Sequence, residues 1–258
     1  MMISVIIPNF NDLRIIRTFN SIFNQTYQDF EIIVVDGGST NSELLTTYKN
    51  YPINTLIHEK DEGIFDALNK GIKLAKGEII YLIGSDDYLS SNFVFELIIG
   101  DFAKNISLDG VCIGCEFINS KGFVIRKWYP NSISSKKIKM GIFPPHFSLF
   151  LKRELYDLVG EFKYLEYKNI ACDIIWLLDL AMLKPNLVIK VEKVQKLFME
   201  YGGASTGSLS SVVNQFVTVH RYAKKCSSKL PYWFSLSIIR TVSKVFQFSA
   251  DMISPYKK

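Results

Sequence analysis

No window of this 258-residue chain reaches the roughly 18 uninterrupted apolar residues that a membrane-spanning helix needs, so no spanning segment is expected. A basic leader is missing too: Met1-Met2 run straight into Ile3-Ser4-Val5-Ile6-Ile7, which predicts a strand, and a cytoplasmic chain. Both glycine-rich phosphate fingerprints, G-x-G-x-x-G and G-x-x-x-x-G-K-[ST], are absent. Any nucleotide must then have its phosphates held some other way. Cysteine is scarce, with Cys112, Cys115, Cys172 and Cys226 fitting reduced thiols. Cys112 and Cys115 have metal-like spacing but no second pair. They fall in the strand-like run Val111 to Ile118, where they face opposite ways, so inert packing is the better reading. A large net charge is also missing: the total is +5. From Arg221 onward eight basic residues meet one acidic residue, so the preceding body is slightly acidic and nucleic acid is a poor partner.

What is present describes a globular α/β chain, 48% hydrophobic and 21% charged. Ile3 to Ile7, Phe30 to Val35, Asn54 to His58 and Ile79 to Ile83 read as strands, the first, second and fourth nearly continuous in apolar residues, as strands covered on both faces are. Helical spacing separates them: Ile15, Ile16, Phe19, Ile22 and Phe23, then Ile64, Phe65, Leu68, Ile72 and Ala75. Gly77 is expected to close the latter helix as a left-handed cap. Strand and helix alternating over short connections predict right-handed crossovers and a mainly parallel sheet, a nucleotide-binding half-fold in outline. Ligands of such sheets gather at the carboxyl ends of the strands.

Those ends are polar. The first strand stops at Pro8-Asn9 and the second at Asp36-Gly37-Gly38-Ser39-Thr40. The fourth stops at Gly84-Ser85 and delivers Asp86 and Asp87. Adjacent carboxyls raise each other's pKa, so a divalent cation or a hydrogen-bonded sugar is their natural partner, and hard oxygen donors favour Mg or Mn. An ordinary turn reads the same way at this level, as does the loop carrying Asp36. Asn69 and Lys70 read equally as a solvated helix face.

Four segments in register resemble the family 2 glycosyltransferases with the GT-A fold, of the bacterial surface-polysaccharide type. They are Ser4 to Asn9, the VVDGGST of Val34 to Thr40, the DEGIFDALNKG of Asp61 to Gly71, and Gly84 to Asp87, together spanning about the first 90 residues. The resemblance implies a nucleotide-sugar donor, most often UDP-linked, bound with Mn or Mg. It implies Asp36 as the base contact, Asp86 as the ribose or pyrophosphate contact and Asp87 as metal ligand, with Pro8, Asn9, Asp61, Gly63 and Asn69 lining the donor pocket.

Residues 1–210 are expected to form the transferase domain, 1–90 holding the donor and 91–210 the acceptor, with a helical tail over 211–258. In the acceptor half a helix over Phe93 to Phe102 precedes a hairpin of Val111 to Ile118 with Phe123 to Trp128. Asn131 to Lys139 reads as a surface loop, Leu151 to Val159 as a helix, and Asn186 to Val191 and Val194 to Met199 as two strands. His146, after Pro144-Pro145, resembles a histidine that orients acceptor or pyrophosphate; a packed histidine is the alternative. Phe147 stands where the family often has Gln. Asp173 resembles the catalytic base of inverting members, although its position suits an N-cap as well. Gly203 and Ser205 resemble a glycine-rich segment that meets the diphosphate, or form a plain loop. The tail interleaves Tyr232, Trp233, Phe234 and Phe246 with Arg240 and Lys244, which suits an anionic membrane surface or docking on the enzyme itself.

The expected reaction is transfer of a sugar, with inversion, to a hydroxyl of a glycan or lipid-linked glycan. A non-catalytic sugar-nucleotide-binding scaffold and a metal-dependent nucleotidyltransferase are the alternatives. The latter usually opens with a glycine-rich basic loop, which Pro8 to Asp12 is not.

Overall fold

Apolar runs and amphipathic stretches alternate along the chain, and they assemble into a single mixed sheet with helices on both faces. The computed structural model describes residues 1–168, 170–200 and 209–226. In chain order the elements are β1 (Ile3–Asn9), α1 (Ile15–Phe23), β2 (Phe30–Asp36), α2 (Ser42–Lys49), β3 (Thr55–His58), α3 (Ile64–Leu74), β4 (Ile79–Leu82) and β5 (Tyr88–Leu89). Then follow α4 (Val94–Lys104), β6 (Gly110–Ile118), β7 (Val124–Trp128), α5 (Ser135–Lys139), a 3₁₀ turn at His146–Ser148, β8 (Leu149–Lys152), α6 (Arg153–Val159), α7 (Tyr164–Tyr167), α8 (Cys172–Leu183), β9 (Ile189–Glu200) and α9 (Leu209–Lys225).

The strands lie in the order β3-β2-β1-β4-β8-β6-β9-β5, with β7 paired to β6. The first four are parallel, as the alternation of strand and helix predicts. Because side chains alternate across a strand, β1 feeds two cores. Ile6 packs with Ile33, Val35 and Leu82 beneath α3 and α8, while Val5 and Ile7 pack with Ile32, Val34 and Tyr81 beneath α1, α2 and α4. Full burial of each such side chain contributes about 1.5–3 kcal/mol.

Beyond β4 the sheet is mixed. β8 pairs with β4 on one side and β6 on the other, both antiparallel. Leu149 to Leu151 therefore form a strand, and the helix expected over Leu151 to Val159 begins only at Arg153. A buried run this short carries no periodicity that separates strand from helix. The two expected late strands are one, β9, whose register on β6 jumps between Cys112 opposite Val191 and Gly114 opposite Lys196. The expected loop at 131–139 holds α5, capped by Ser134 and anchored by buried Ile138.

Gly77 is not a left-handed cap. α3 closes at Ala75, and Gly77 is instead the place where two backbones nearly touch: a Cβ there would stand 2.5 Å from Met2 O and 2.7 Å from Ser4 N. Cys112, Cys115 and Cys172 are buried free thiols, and burial pushes the Cys112 and Cys172 thiols up to about 12. The described part of the tail docks on the enzyme: Val219, Tyr222 and Ala223 of α9 are buried, and the Tyr222 hydroxyl donates to Asp179 of α8. Residues 227–258, which carry most of the basic and aromatic pattern, lie outside the described residues.

Candidate active site

Parallel pairing brings the carboxyl ends of β1, β2, β3 and β4 to one edge of the sheet. Since β8 reverses direction twice, against β4 and against β6, β6 and its parallel neighbour β9 also end at that edge. Asp87, after β4, and Arg14, after β1, thus meet Glu200, the last residue of β9.

Asp86 and Asp87 leave β4 here. Their carboxyls turn onto one spot: a Cβ on Gly84 would stand 2.8 Å from Asp87 Oδ2 and 3.2 Å from Asp86 Oδ1. Any side chain at position 84 would fill that space. Asp87 is 2% exposed, and burial, reinforced by the charge of Asp86, pushes its carboxyl well above the usual range. Burial also raises Asp86, although Arg14 pulls it back. Asp87 Oδ1 accepts a long bond, 3.4 Å, from Glu200 N–H. Among the described residues no three His, Cys, Asp or Glu side chains form a metal cage. The pair nevertheless fits Mg or Mn: two hard carboxylates over an open cradle, with coordination places left for diphosphate oxygens.

Asp36 is fully buried and both its oxygens are engaged. Oδ1 accepts from Gly38 N–H at 3.0 Å and Ser39 N–H at 2.6 Å and lies 2.9 Å from His58 Nδ1, while Oδ2 accepts from the Tyr48 hydroxyl at 2.6 Å. Burial alone would raise this carboxyl; the hydrogen bonds, Tyr48 foremost, bring it below the usual range. Asn9 Nδ2 donates to the same Tyr48 hydroxyl at 2.7 Å, and Asn9 Oδ1 is buried without a partner. Pro8 lies past the end of the β1–β4 register, where its missing N–H breaks no ladder there. Asp61 is more open. Its Oδ1 accepts from Gly63 N–H at 2.9 Å, and its Oδ2 sits 2.6 Å from where a Cβ on Gly37 would be. Gly63, at φ +113°, starts α3 in a conformation that only glycine adopts easily.

Asn69 is placed differently from a pocket-lining residue. Its amide both donates to Phe162 O and accepts from Phe162 N–H, each at 2.9 Å, tying α3 to the segment before α7. His146 packs in an aromatic box, with ring centroids 5.2 Å from Trp176, 5.3 Å from Phe162 and 6.2 Å from Tyr156. Its Nε2 lies 3.1 Å from the Tyr156 hydroxyl, and burial lowers its pKa to about 3, so it stays neutral. The box holds α8 against the 3₁₀ turn, and three residues before Trp176 stands Asp173, half-buried in the first turn of α8. The helix N-terminus favours a carboxylate there. Ala171, just before the helix, adopts φ +54°, at a cost of about 1–2 kcal/mol for a residue with a Cβ. Gly203 and Ser205 lie outside the described residues.

Sequence reasoning missed Arg14, Arg17 and Glu200. Arg14 Nη1 lies 3.0 Å from Glu200 Oε1 and 3.5 Å from Asp86 Oδ2, and Arg17 Nη2 lies 2.9 Å from Glu200 Oε2. The one available signal was their spacing of three on a helix that starts at a strand end, which puts both on one face. Tyr48 and His58, the partners of Asp36, carried no signal at all.

The sequence model described as Glycosyl transferase family 2 matches residues 4–159. A chondroitin synthase of Escherichia coli is 33% identical over 157 residues, 59% of this chain and 23% of that protein. A PGL/p-HBAD biosynthesis glycosyltransferase of Mycobacterium bovis is 39% identical over 93 residues, 34% of this chain and 36% of that protein. The chain thus spans well under two thirds of these relatives. Among solved structures, S. aureus TarS 1–349 shares the fold at TM-score 0.69 and 18% identity, covering 96% of this chain and 73% of that one. The same TarS portion is also solved with UDP-GlcNAc, at TM-score 0.65 and 19% identity over 88% of this chain and 67% of that one. The mannosyltransferase PcManGT of Pyrobaculum calidifontis, in complex with GDP-Man and Mn2+, matches at TM-score 0.63 and 16% identity over 99% of this chain and 76% of that one.

Proposed function

The chain belongs to glycosyl transferase family 2, and from that premise we propose that it is an inverting, metal-assisted transferase. It moves a sugar from a nucleotide-sugar donor, UDP-linked, to a hydroxyl of a glycan or lipid-linked glycan in the synthesis of a cell-surface polysaccharide. The observation that carries this reading is the convergence of Asp86 and Asp87 over Gly84, at the edge where the strand-end loops gather. A lone acidic pair at a turn needs neither burial nor a shared cradle.

The order of the strands supports one placement of the donor. Neighbouring strands stand about 4.8 Å apart, so the loops after β3 and β4 are separated by three such steps, about 14 Å. One extended nucleoside diphosphate bridges them, with the base toward β2 and β3, the ribose over β1 and the diphosphate toward β4. Asp36, its oxygens consumed, holds the floor of the base pocket. The base contact falls to Asp61, whose Oδ2 faces the space over Gly37 and accepts the ring N–H of uracil. Asn9 Oδ1, buried and unpartnered, meets the donor from β1. Asp86 and Asp87 would hold Mn or Mg, which when bound would supply positive charge to the departing diphosphate.

Asp173 takes the proton of the acceptor hydroxyl as its oxygen attacks the anomeric carbon. The new C–O bond forms while the bond to the diphosphate breaks and its electron pair leaves with the phosphate. One displacement inverts the configuration. His146, neutral within its box, positions α8 and through it Asp173. Gly203 and Ser205 remain proposed diphosphate contacts from beyond the described residues. Among the described residues no helix is long and apolar enough to cross a membrane. The tail, with its basic and aromatic pattern, is the proposed contact with a membrane surface that carries the acceptor.

The test is Asp173→Asn assayed for UDP-sugar turnover and, in parallel, for UDP affinity. Loss of turnover by about 100-fold or more with unchanged affinity supports the base; full turnover excludes it, and with it the reading of α8 as the acceptor side. A scaffold subunit would show no turnover in either protein.

A further inference from the structure

Three carboxyls, Asp12, Asp86 and Glu200, meet two guanidiniums at the mouth of the site, and the two guanidiniums are held in different ways. Arg17 is fixed. Its Nη2 donates to Asp86 O at 2.6 Å and to Glu200 Oε2 at 2.9 Å, and its guanidinium lies 4.5 Å over the Tyr88 ring. It touches Asp86 only through the main chain. Arg14 is half-exposed and divided among three carboxylates: it forks onto Asp12, reaches Glu200 at 3.0 Å and touches the Asp86 carboxylate at 3.5 Å. Among the described residues no other cationic side chain pairs with that carboxylate.

A cation seated between Asp86 and Asp87 would stand beside the Arg14 guanidinium, and like charges so close repel strongly away from bulk water. Arg14 must then turn aside. A diphosphate arriving at the same edge offers a guanidinium the paired oxygens that suit its planar fork. We propose that Arg14 serves as the resident counter-ion of Asp86 in the empty site and exchanges onto the donor diphosphate when a divalent cation enters. Nucleotide and cation then strengthen each other's binding, because the group that one displaces the other receives. Arg14 is thus a positioning residue for the donor, and the inference rests on the donor reading of this edge.

The experiment measures free Mn2+ by its electron paramagnetic resonance in wild type, Arg14→Gln and Arg17→Gln, each with and without UDP. In wild type UDP should tighten Mn2+ binding about tenfold or more. Arg14→Gln should bind Mn2+ alone several-fold more tightly and lose most of that coupling. Arg17→Gln removes the same charge from the same cluster but not from the Asp86 carboxylate, and should keep the wild-type coupling. Equal changes in both variants would reduce the effect to general charge and overturn the proposal, as would Arg14→Gln behaving like wild type. If wild type binds no UDP, the donor reading fails separately; the Mn2+-only comparison of the three proteins still decides whether Arg14 occupies Asp86.

Discussion

Replacing His146 with Gln should remove a specific component of acid lability. The folded protein keeps this imidazole neutral down to about pH 3, whereas the unfolded chain protonates it near 6.5. Between those values the unfolded state binds the extra proton, so stability falls as pH drops. At pH 5 the gap is about 1.5 pKa units at 1.36 kcal/mol each, a loss of about 2 kcal/mol relative to pH 7.5. Gln still offers the Tyr156 hydroxyl a polar partner but has no proton to take up in this range. Urea unfolding of both proteins at pH 7.5 and pH 5 gives the difference directly. Whatever constant cost the substitution carries cancels, because only the change with pH is compared. The wild type should lose about 2 kcal/mol more than the variant over this interval. An equal loss in both would mean that His146 takes up a proton in the folded state, and the packed box would be the wrong account of it.

Asp61→Asn should weaken UDP binding about 10- to 100-fold, the worth of a hydrogen bond to a charged acceptor, and narrow the preference for UDP over CDP, because an amide can also donate to the cytosine ring nitrogen. Titration of both nucleotides checks it, and an unchanged ratio would return the base contact to another residue. Gly77→Ala should cost about 1–3 kcal/mol in denaturant unfolding, since its methyl meets main-chain atoms of Met2 and Ser4 that have no room to move. A neutral effect would show that the β1–β4 contact relaxes.

The parallel half of the fold was legible because each of its buried strands is an apolar run bounded by polar turns and spaced by helices of clear periodicity. Leu149 to Leu151 were not, for three buried residues show no period, and only the gap between β4 and β6 makes them a strand. The acidic pair was legible as chemistry, but its cradle was not: that Gly84 leaves room for both carboxyls is a matter of conformation. Asp36 read as a base contact only through the family resemblance, its loop alone reading equally as an ordinary turn, while Tyr48 and His58, which consume it, arrive from α2 and β3. Arg14 went unread in the sequence. Its meaning depends on Glu200, 186 positions away, and on the double reversal at β8 that brings β9 back to the site edge.

The measurement that bears most directly on the central claim is calorimetric titration of UDP into wild type and Asp87→Asn, each in Mn2+ and in EDTA. Wild type should bind UDP in Mn2+ and lose about tenfold or more of that affinity in EDTA, and Asp87→Asn should be weak in both. No UDP binding by wild type in Mn2+, or binding that neither EDTA nor Asp87→Asn alters, would contradict a metal-assisted donor site at the end of β4.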